Sequence, residues 1–220
     1  MPASSVLTGD LIGSGAAGPE QVERAMDTLR RAAGEISAWQ GGADVLFTRH
    51  RGDGWQILIT EAPWLCLRAA LFIIAGLRAA KDLPSTRISI GLGAANPVRD
   101  RTLAAASGEA FELSGQALDK LRGHTLALSG PAFGEHDAII LVLIEERIRR
   151  WTPEQAEAVA LALPPDNPTL ARLAARLGIS TQAVSYRLKG AGAPALRQAL
   201  ATWESELAER LGAAAAEGGE

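Results

Sequence analysis

The sequence predicts an α+β chain in two parts, a ferredoxin-like sheet domain followed by an all-α domain that carries a helix-turn-helix. Three observations predict it. Strand and helix signals alternate as strand, helix, hairpin, helix, strand over the first 93 residues. Beyond about Gly130 the strand signals stop and helical periodicity takes over. The stretch from Thr169 to Lys189, TLARLAARLGISTQAVSYRLK, has the spacing of two helices joined by a glycine corner.

Val6 and Leu7 open a short apolar strand that runs into the glycine-punctuated turn GDLIGSG. Pro19 and Glu20 start a helix through about Trp39, with Val22, Ala25, Met26, Leu29, Ala32, Ala33 and Ile36 on one face. Asp44 to Arg49 and Trp55 to Thr60 read as strands joined across RGDG, hence a hairpin. Pro63 begins a helix through Ala80, and Thr86 to Gly93 alternates Ile88, Ile90 and Leu92 as a fourth strand. A glycine-rich connection leads to a helix over about Ala110 to Leu121 and a last strand at Thr125 to Leu128. The expected divisions are a palm over 1–130, a connecting helix over 131–151, a helix-turn-helix domain over 152–211 and a flexible tail over 212–220.

The connecting helix, HDAIILVLIEERIRRW, is apolar in its first half and basic in its second, so its apolar half is expected to pack on the palm or on a second subunit. Thr152-Pro153-Glu154 starts the next helix, and Pro164-Pro165 stops it near Leu163. In the following helix Leu170, Leu173, Ala174 and Leu177 point inward, and Gly178 turns the chain. Ser180 or Thr181 caps the second helix, whose inward stripe is Ala183, Val184 and Leu188. That leaves Thr181, Gln182, Ser185, Tyr186 and Lys189 outward. Short polar side chains near a helix start reach base edges, while Arg187 and Lys189 sit where phosphates run, so Ser180, Thr181, Gln182, Ser185, Tyr186, Arg187 and Lys189 are the candidate DNA-binding residues. An ordinary two-helix corner is the competing explanation. After GAGAP a last helix, Ala195 to about Leu211, lines Leu196, Leu200, Trp203 and Leu207 along one side, to close the bundle or to dimerise.

Composition narrows the classes further. Of 220 residues, 47% are apolar and 21% charged, enough to build one sizeable core or two modest ones. The single Cys66 excludes an internal disulfide, and His50, His124 and His136 are too dispersed for a zinc site. The longest apolar run, Ala62 to Ala80, is broken by Arg68 and Arg78 and reads as a buried helix, and Met1 to Ser5 carry no leader pattern, so a cytoplasmic location with no membrane contact is expected. The net charge of −3 is unevenly spread: residues 147–200 carry eight basic against three acidic side chains. A locally basic segment on an acidic chain is drawn to the phosphates of double-stranded DNA. A homodimer is expected, since one recognition helix covers only a few base pairs.

Asp10 follows the first strand and Asp53 sits at the hairpin tip, turns that lie side by side on a ferredoxin-like palm. Their carboxylates could share Mg²⁺ and present it to phosphates. Here the sequence resembles a family. Residues 6–128 look like a class III nucleotidyl cyclase domain: GDLIGS matches the acid and glycine turn, RHRGDGWQILI the metal-binding hairpin, and RISIGLG with SGEAFELSGQALDKL the strand and helix that close the site. GISTQAVSYRLK looks like the corresponding stretch of many bacterial repressors. The combination of the palm with a C-terminal helix-turn-helix preceded by RWT resembles the SatD-like proteins most closely.

The resemblance also shows departures. Where cyclases carry an asparagine and an arginine that stabilise phosphate charge, this chain has Ser114 and Leu118. Losing one such donor typically costs roughly 3 kcal/mol of transition-state stabilisation. The base-selecting lysine aligns with Arg49. The resemblance therefore implies a non-catalytic palm with two open roles. In one, Asp10, Gly13, Ser14, Arg49 and Asp53 bind a nucleotide or cyclic nucleotide effector. In the other, the palm only dimerises. The expected function is a DNA-binding transcriptional regulator. The alternatives are an active metal-dependent nucleotidyl cyclase with a regulatory helical tail, and an adaptor without DNA activity.

Overall fold

The computed structural model describes residues 3–42, 45–50, 52–96, 103 and 106–217. Asp44, Arg51 and the last three residues of the expected tail lie outside them. The palm runs β1 (Ala3–Ile12), α1 (Pro19–Trp39), β2 (Leu46–His50), β3 (Gly54–Ile59), a 3-10 turn (Pro63–Leu65), α2 (Cys66–Ala79), β4 (Ser85–Ala94), α3 (Glu109–Lys120) and β5 (Leu126–Ser129). The sheet order is β2-β3-β1-β4-β5. All pairings are antiparallel except β4 with β5. Two split β-α-β crossings interleaved in this order make the ferredoxin-like arrangement, with β5 added on the β4 edge.

Alternation sorts the sheet's side chains onto two faces. Leu7, Leu11, Trp55, Ile57, Ile59, Ile88, Ile90 and Leu92 face α1 and α2 and are buried. On the other face Val6 and Leu58 pack with Ala110 and Phe111 of α3. Helix α3 lies directly over Gly91, where a Cβ would overlap the Ala110 carbonyl and stand 2.6 Å from the Ser114 amide nitrogen. Ser114, fully buried, bonds Thr8 across this seam at 2.7 Å.

The helical part comprises α4 (Glu135–Arg149), α5 (Pro153–Ala162), α6 (Leu170–Leu177), α7 (Thr181–Gly190) and α8 (Ala193–Glu217). It shares the palm's core: Leu71 and Ile73 of α2, Val159 and Ala162 of α5, and Leu200 and Trp203 of α8 fall in one continuous buried cluster. Polar ties reinforce the junction. Arg68 of α2 forks onto Glu204 of α8 with both bonds at 2.7 Å, and donates to the Leu163 carbonyl at the end of α5. Burial pushes the Glu204 carboxyl above its usual range against the pull of that guanidinium. Asp137 of α4 accepts from Trp203 Nε1 at 2.6 Å and from Arg210 at 2.9 Å, both on α8. Burial would raise the Asp137 carboxyl, but these donors and the Gly134 amide outweigh it and hold it below the ordinary value.

Several expectations are corrected. Strand β1 is not short: it continues through Ile12 because β4 pairs with it to that residue, so Asp10 lies within the strand rather than after it. Leu170 is exposed at 44%, since it is the first residue of α6 and precedes the turn that faces the core. The break before α8 shrinks to a turn at Ala191-Gly192, and α8 continues past Leu211 to Glu217. Cys66 is buried, which pushes its thiol far up. Among the described residues no helix is long and apolar enough to cross a membrane.

Candidate functional site

Two surfaces carry the side chains singled out in the sequence, one at an end of the sheet and one on the C-terminal corner. At the sheet end, the register places Asp10 opposite Gly54, and the Leu11 amide bonds the Asp53 carbonyl at 3.3 Å. Asp10 and Asp53 are thus neighbours, as the fold demands. Their carboxylates, however, have other partners. Both Asp10 oxygens are held by the Arg87 guanidinium, at 2.7 and 2.6 Å. Those bonds, the nearby charge of Asp10 and more distant acids hold Arg87 firmly protonated. Asp53 accepts from the Ser14 hydroxyl.

A hard divalent ion needs about six oxygen ligands around it. Here a cationic fork already fills the Asp10 carboxylate, and among the described residues no three His, Cys, Asp or Glu side chains are placed to share an ion. With Asp10 bound to Arg87, the pair of acids would hold Mg²⁺ only if that guanidinium were displaced. Arg49 is not brought to the acids at all. It pairs with Trp55 and so points to the face covered by α1 and α2, where it bonds Glu23 of α1 at 2.7 Å and the Gly52 carbonyl. His50, its neighbour in β2, occupies the register row of Asp10 instead. The glycine turn offers a phosphate little. Gly13 is left-handed at φ 78°, and its carbonyl takes the Ala16 and Ala17 amides at 3.0 Å, turning those donors inward.

The sequence does not single out Arg87, the partner of Asp10. The alternation of Ile88, Ile90 and Leu92 toward α1 and α2 puts Arg87 on the Asp10 face, but the register that pairs the two is not written in either strand. Ser114, aligned with a cyclase phosphate-stabilising position, is instead a seat for α3, bonding Thr8 and accepting from Ser89 through its carbonyl.

The corner is built as its sequence suggests. Thr169 caps α6 by accepting from the Arg172 amide at 3.2 Å. Gly178 ends that helix at φ 64° and ψ 30°, a conformation that costs a side chain with a Cβ roughly 1 kcal/mol or more. Ser180, not Thr181, caps α7, accepting from the Ala183 amide at 3.1 Å. Leu173, Ala174, Val184 and Leu188 fill the inside of the corner against Ala156 and Val159 of α5. Outward stand Ser180, Thr181, Gln182 and Lys189, all exposed, with Ser185 half-buried and Tyr186 67% exposed. Arg187 departs from this face: its guanidinium turns onto α5 and pairs with Glu157 at 2.9 Å.

No family model matches the chain, and no curated protein matches it. Among solved structures it is similar to the guanylyl cyclase domain of the RhoGC fusion protein from the aquatic fungus Blastocladiella emersonii, with 14% identity over 58% of this chain and 78% of that one, and a TM-score of 0.44. It is similar to the catalytic core of a rhodopsin-guanylyl cyclase with converted specificity, at 16% identity over 58% and 77% of the two chains, with a TM-score of 0.44. A bacterial light-regulated adenylyl cyclase shares 19% identity over 58% and 75%, with a TM-score of 0.40. The ferredoxin-like assignment rests on the strand register of this chain rather than on these likenesses.

Proposed function

We propose that this chain is a DNA-binding transcriptional regulator in which a non-catalytic palm, residues 1–130, is joined through residues 131–151 to a reader over residues 152–211. The observation that carries the reading is the outer face of α7. It presents Thr181, Gln182, Ser185, Tyr186 and Lys189 together, on a short helix fixed at its start by a capped glycine corner. Such a helix can lie in a major groove, with amide, hydroxyl and phenol groups against base edges and the lysine against a phosphate. Arg187, engaged with Glu157, supports the helix rather than the phosphate contact.

The test is fluorescence anisotropy with duplexes selected from a random pool. Binding should fall steeply with salt, and Lys189→Ala should lower the slope of log affinity against log salt by roughly one while weakening all duplexes alike. Gln182→Ala or Tyr186→Ala should cost about 1–3 kcal/mol on the selected duplex and much less on unrelated ones. Arg187→Ala should act mainly on stability. Absence of salt-sensitive retention on any duplex ends the proposal.

The palm's part in this reading is to assemble two readers, to sense an effector, or both. Assembly is supported by α4, whose outer face leaves Ile139, Val142 and Leu143 exposed at 60%, 59% and 66%. The same face carries Glu135 at its start and Arg150, paired with Glu146, at its end. A second copy of the chain, turned antiparallel about a two-fold near Val142, covers the apolar residues and sets each acid near the other copy's base. Leu143→Glu should therefore convert a dimer to a monomer in light scattering while leaving the circular dichroism spectrum unchanged. A wild-type monomer at high micromolar concentration would remove this assignment.

A further inference from the structure

Beside the Asp10–Arg87 pair, on the side away from Asp53, opens a cleft of about 600 Å³ lined by Arg87, Arg122, His124 and Arg149, with Leu11 and Ile12 along one wall. Its three arginines come from separate elements, β4, the turn after α3, and the end of α4. They converge on one short piece of backbone. Arg87 donates to the Leu121 carbonyl at 2.9 Å, Arg122 to the same oxygen at 3.4 Å, and Arg149 to the Gly123 carbonyl at 2.8 Å. Each bond uses one of a guanidinium's five N–H donors. Capping the end of α3 needs one cation.

The acids around the cleft, Asp10, Asp119 and Glu145, gather about Arg87 and His124. Arg87 is balanced by Asp10, and His124 sits at 2.6 Å from Glu145, which is itself buried and accepts the Thr125 and Leu126 amides. Among the described residues neither Arg122 nor Arg149 meets a carboxylate, and both are exposed to the cleft. Like charges gathered at one turn repel, and an anion between them relieves that repulsion. Guanidinium forks match the geometry of oxyanions with two or more oxygens.

We propose that this cleft binds the phosphoryl group of a small ligand, with Arg122 and Arg149 as its principal donors and Arg87, held in place by Asp10, as the third. The proposal deepens the sensing role of the palm and rests on it, while standing apart from the DNA-binding assignment of α7. The ligand lies on the β4–β5 side of Asp10, away from the hairpin tip, and needs no metal.

Isothermal titration of the full chain with inorganic phosphate, pyrophosphate and ATP, without divalent ions, tests it. Saturable binding of pyrophosphate or ATP is expected, weakened at least tenfold in Arg122→Gln/Arg149→Gln and unchanged in Lys189→Ala. Preference for ATP over pyrophosphate would assign the phosphoryl group to a nucleotide, and equal affinity would assign it to a free or simple ester phosphate. Arg122→Gln alone, at an exposed turn, serves as the folded control and should weaken binding severalfold. No saturable binding by the wild-type chain, or equal binding by the double variant, overturns the proposal. So does a loss of duplex affinity in the double variant without small-ligand binding, which would make the cleft a DNA contact. Loss of duplex binding in the Gln182 and Tyr186 variants bears on the reader alone.

Discussion

Arg68→Ala is expected to cost about 3–5 kcal/mol of folding stability, a large share of what a chain of this size holds. The guanidinium and the Glu204 carboxylate are only 7% and 10% exposed, and the arginine also satisfies the Leu163 carbonyl. Removing it strands a carboxylate and a backbone oxygen inside the molecule. Urea unfolding measures the loss. The double replacement Arg68→Met/Glu204→Leu should recover most of it, because then no charge is left behind. A single variant within about 1 kcal/mol of wild type, or a double variant no better than the single, would show that solvent reaches the junction and that its polar tie is dispensable.

Gly91→Ala should be nearly as damaging, at about 3 kcal/mol or more, although it adds one methyl group. The atoms it would strike belong to the backbone of α3, at Ala110 and Ser114, and backbone cannot rotate aside as a side chain does. The helix must lift off the sheet, breaking the Thr8–Ser114 bond and wetting Phe111. Hydrogen exchange locates the effect: protection should fall across Glu109–Lys120 while α1 keeps its own. Gly115→Ala in the same helix is the contrast, since nothing lies within 4 Å of its added carbon. It should be neutral or stabilising by about 0.5–1 kcal/mol. Equal effects from the two substitutions would show that close packing over the sheet is not what Gly91 provides.

Local patterns were legible in the sequence wherever one element decides its own form. The Ile88, Ile90, Leu92 alternation fixed the buried face of β4, and Thr169, Gly178 and Ser180 marked both ends of the corner. The outward set on α7 was readable for the same reason, since helical spacing alone assigns it. Pairings across the chain were not. Arg68 looked like an interruption of an apolar helix, because its partner lies 136 residues further on. By position Arg49 reads as a ligand contact and Arg187 as a DNA phosphate contact, yet each faces an acid from a neighbouring helix, Glu23 and Glu157. The two acids of the palm were rightly set side by side, while the arginine that fills Asp10 depends on strand register. Charge on a side chain is visible in sequence; what neutralises it is a property of the fold.

The junction between α2, α5 and α8 has a mechanical consequence. Arg68 bridges all three, Arg78 of α2 bonds the Trp151 and Arg149 carbonyls, and the Trp151 indole bonds the Ala191 carbonyl at the end of α7. These bonds tie the corner to the sheet. Under the proposed reading, a two-fold pair then works as a caliper with one opening. Lengthening the spacer of its operator by about five base pairs carries one half-site to the far side of the duplex, where the second corner cannot follow.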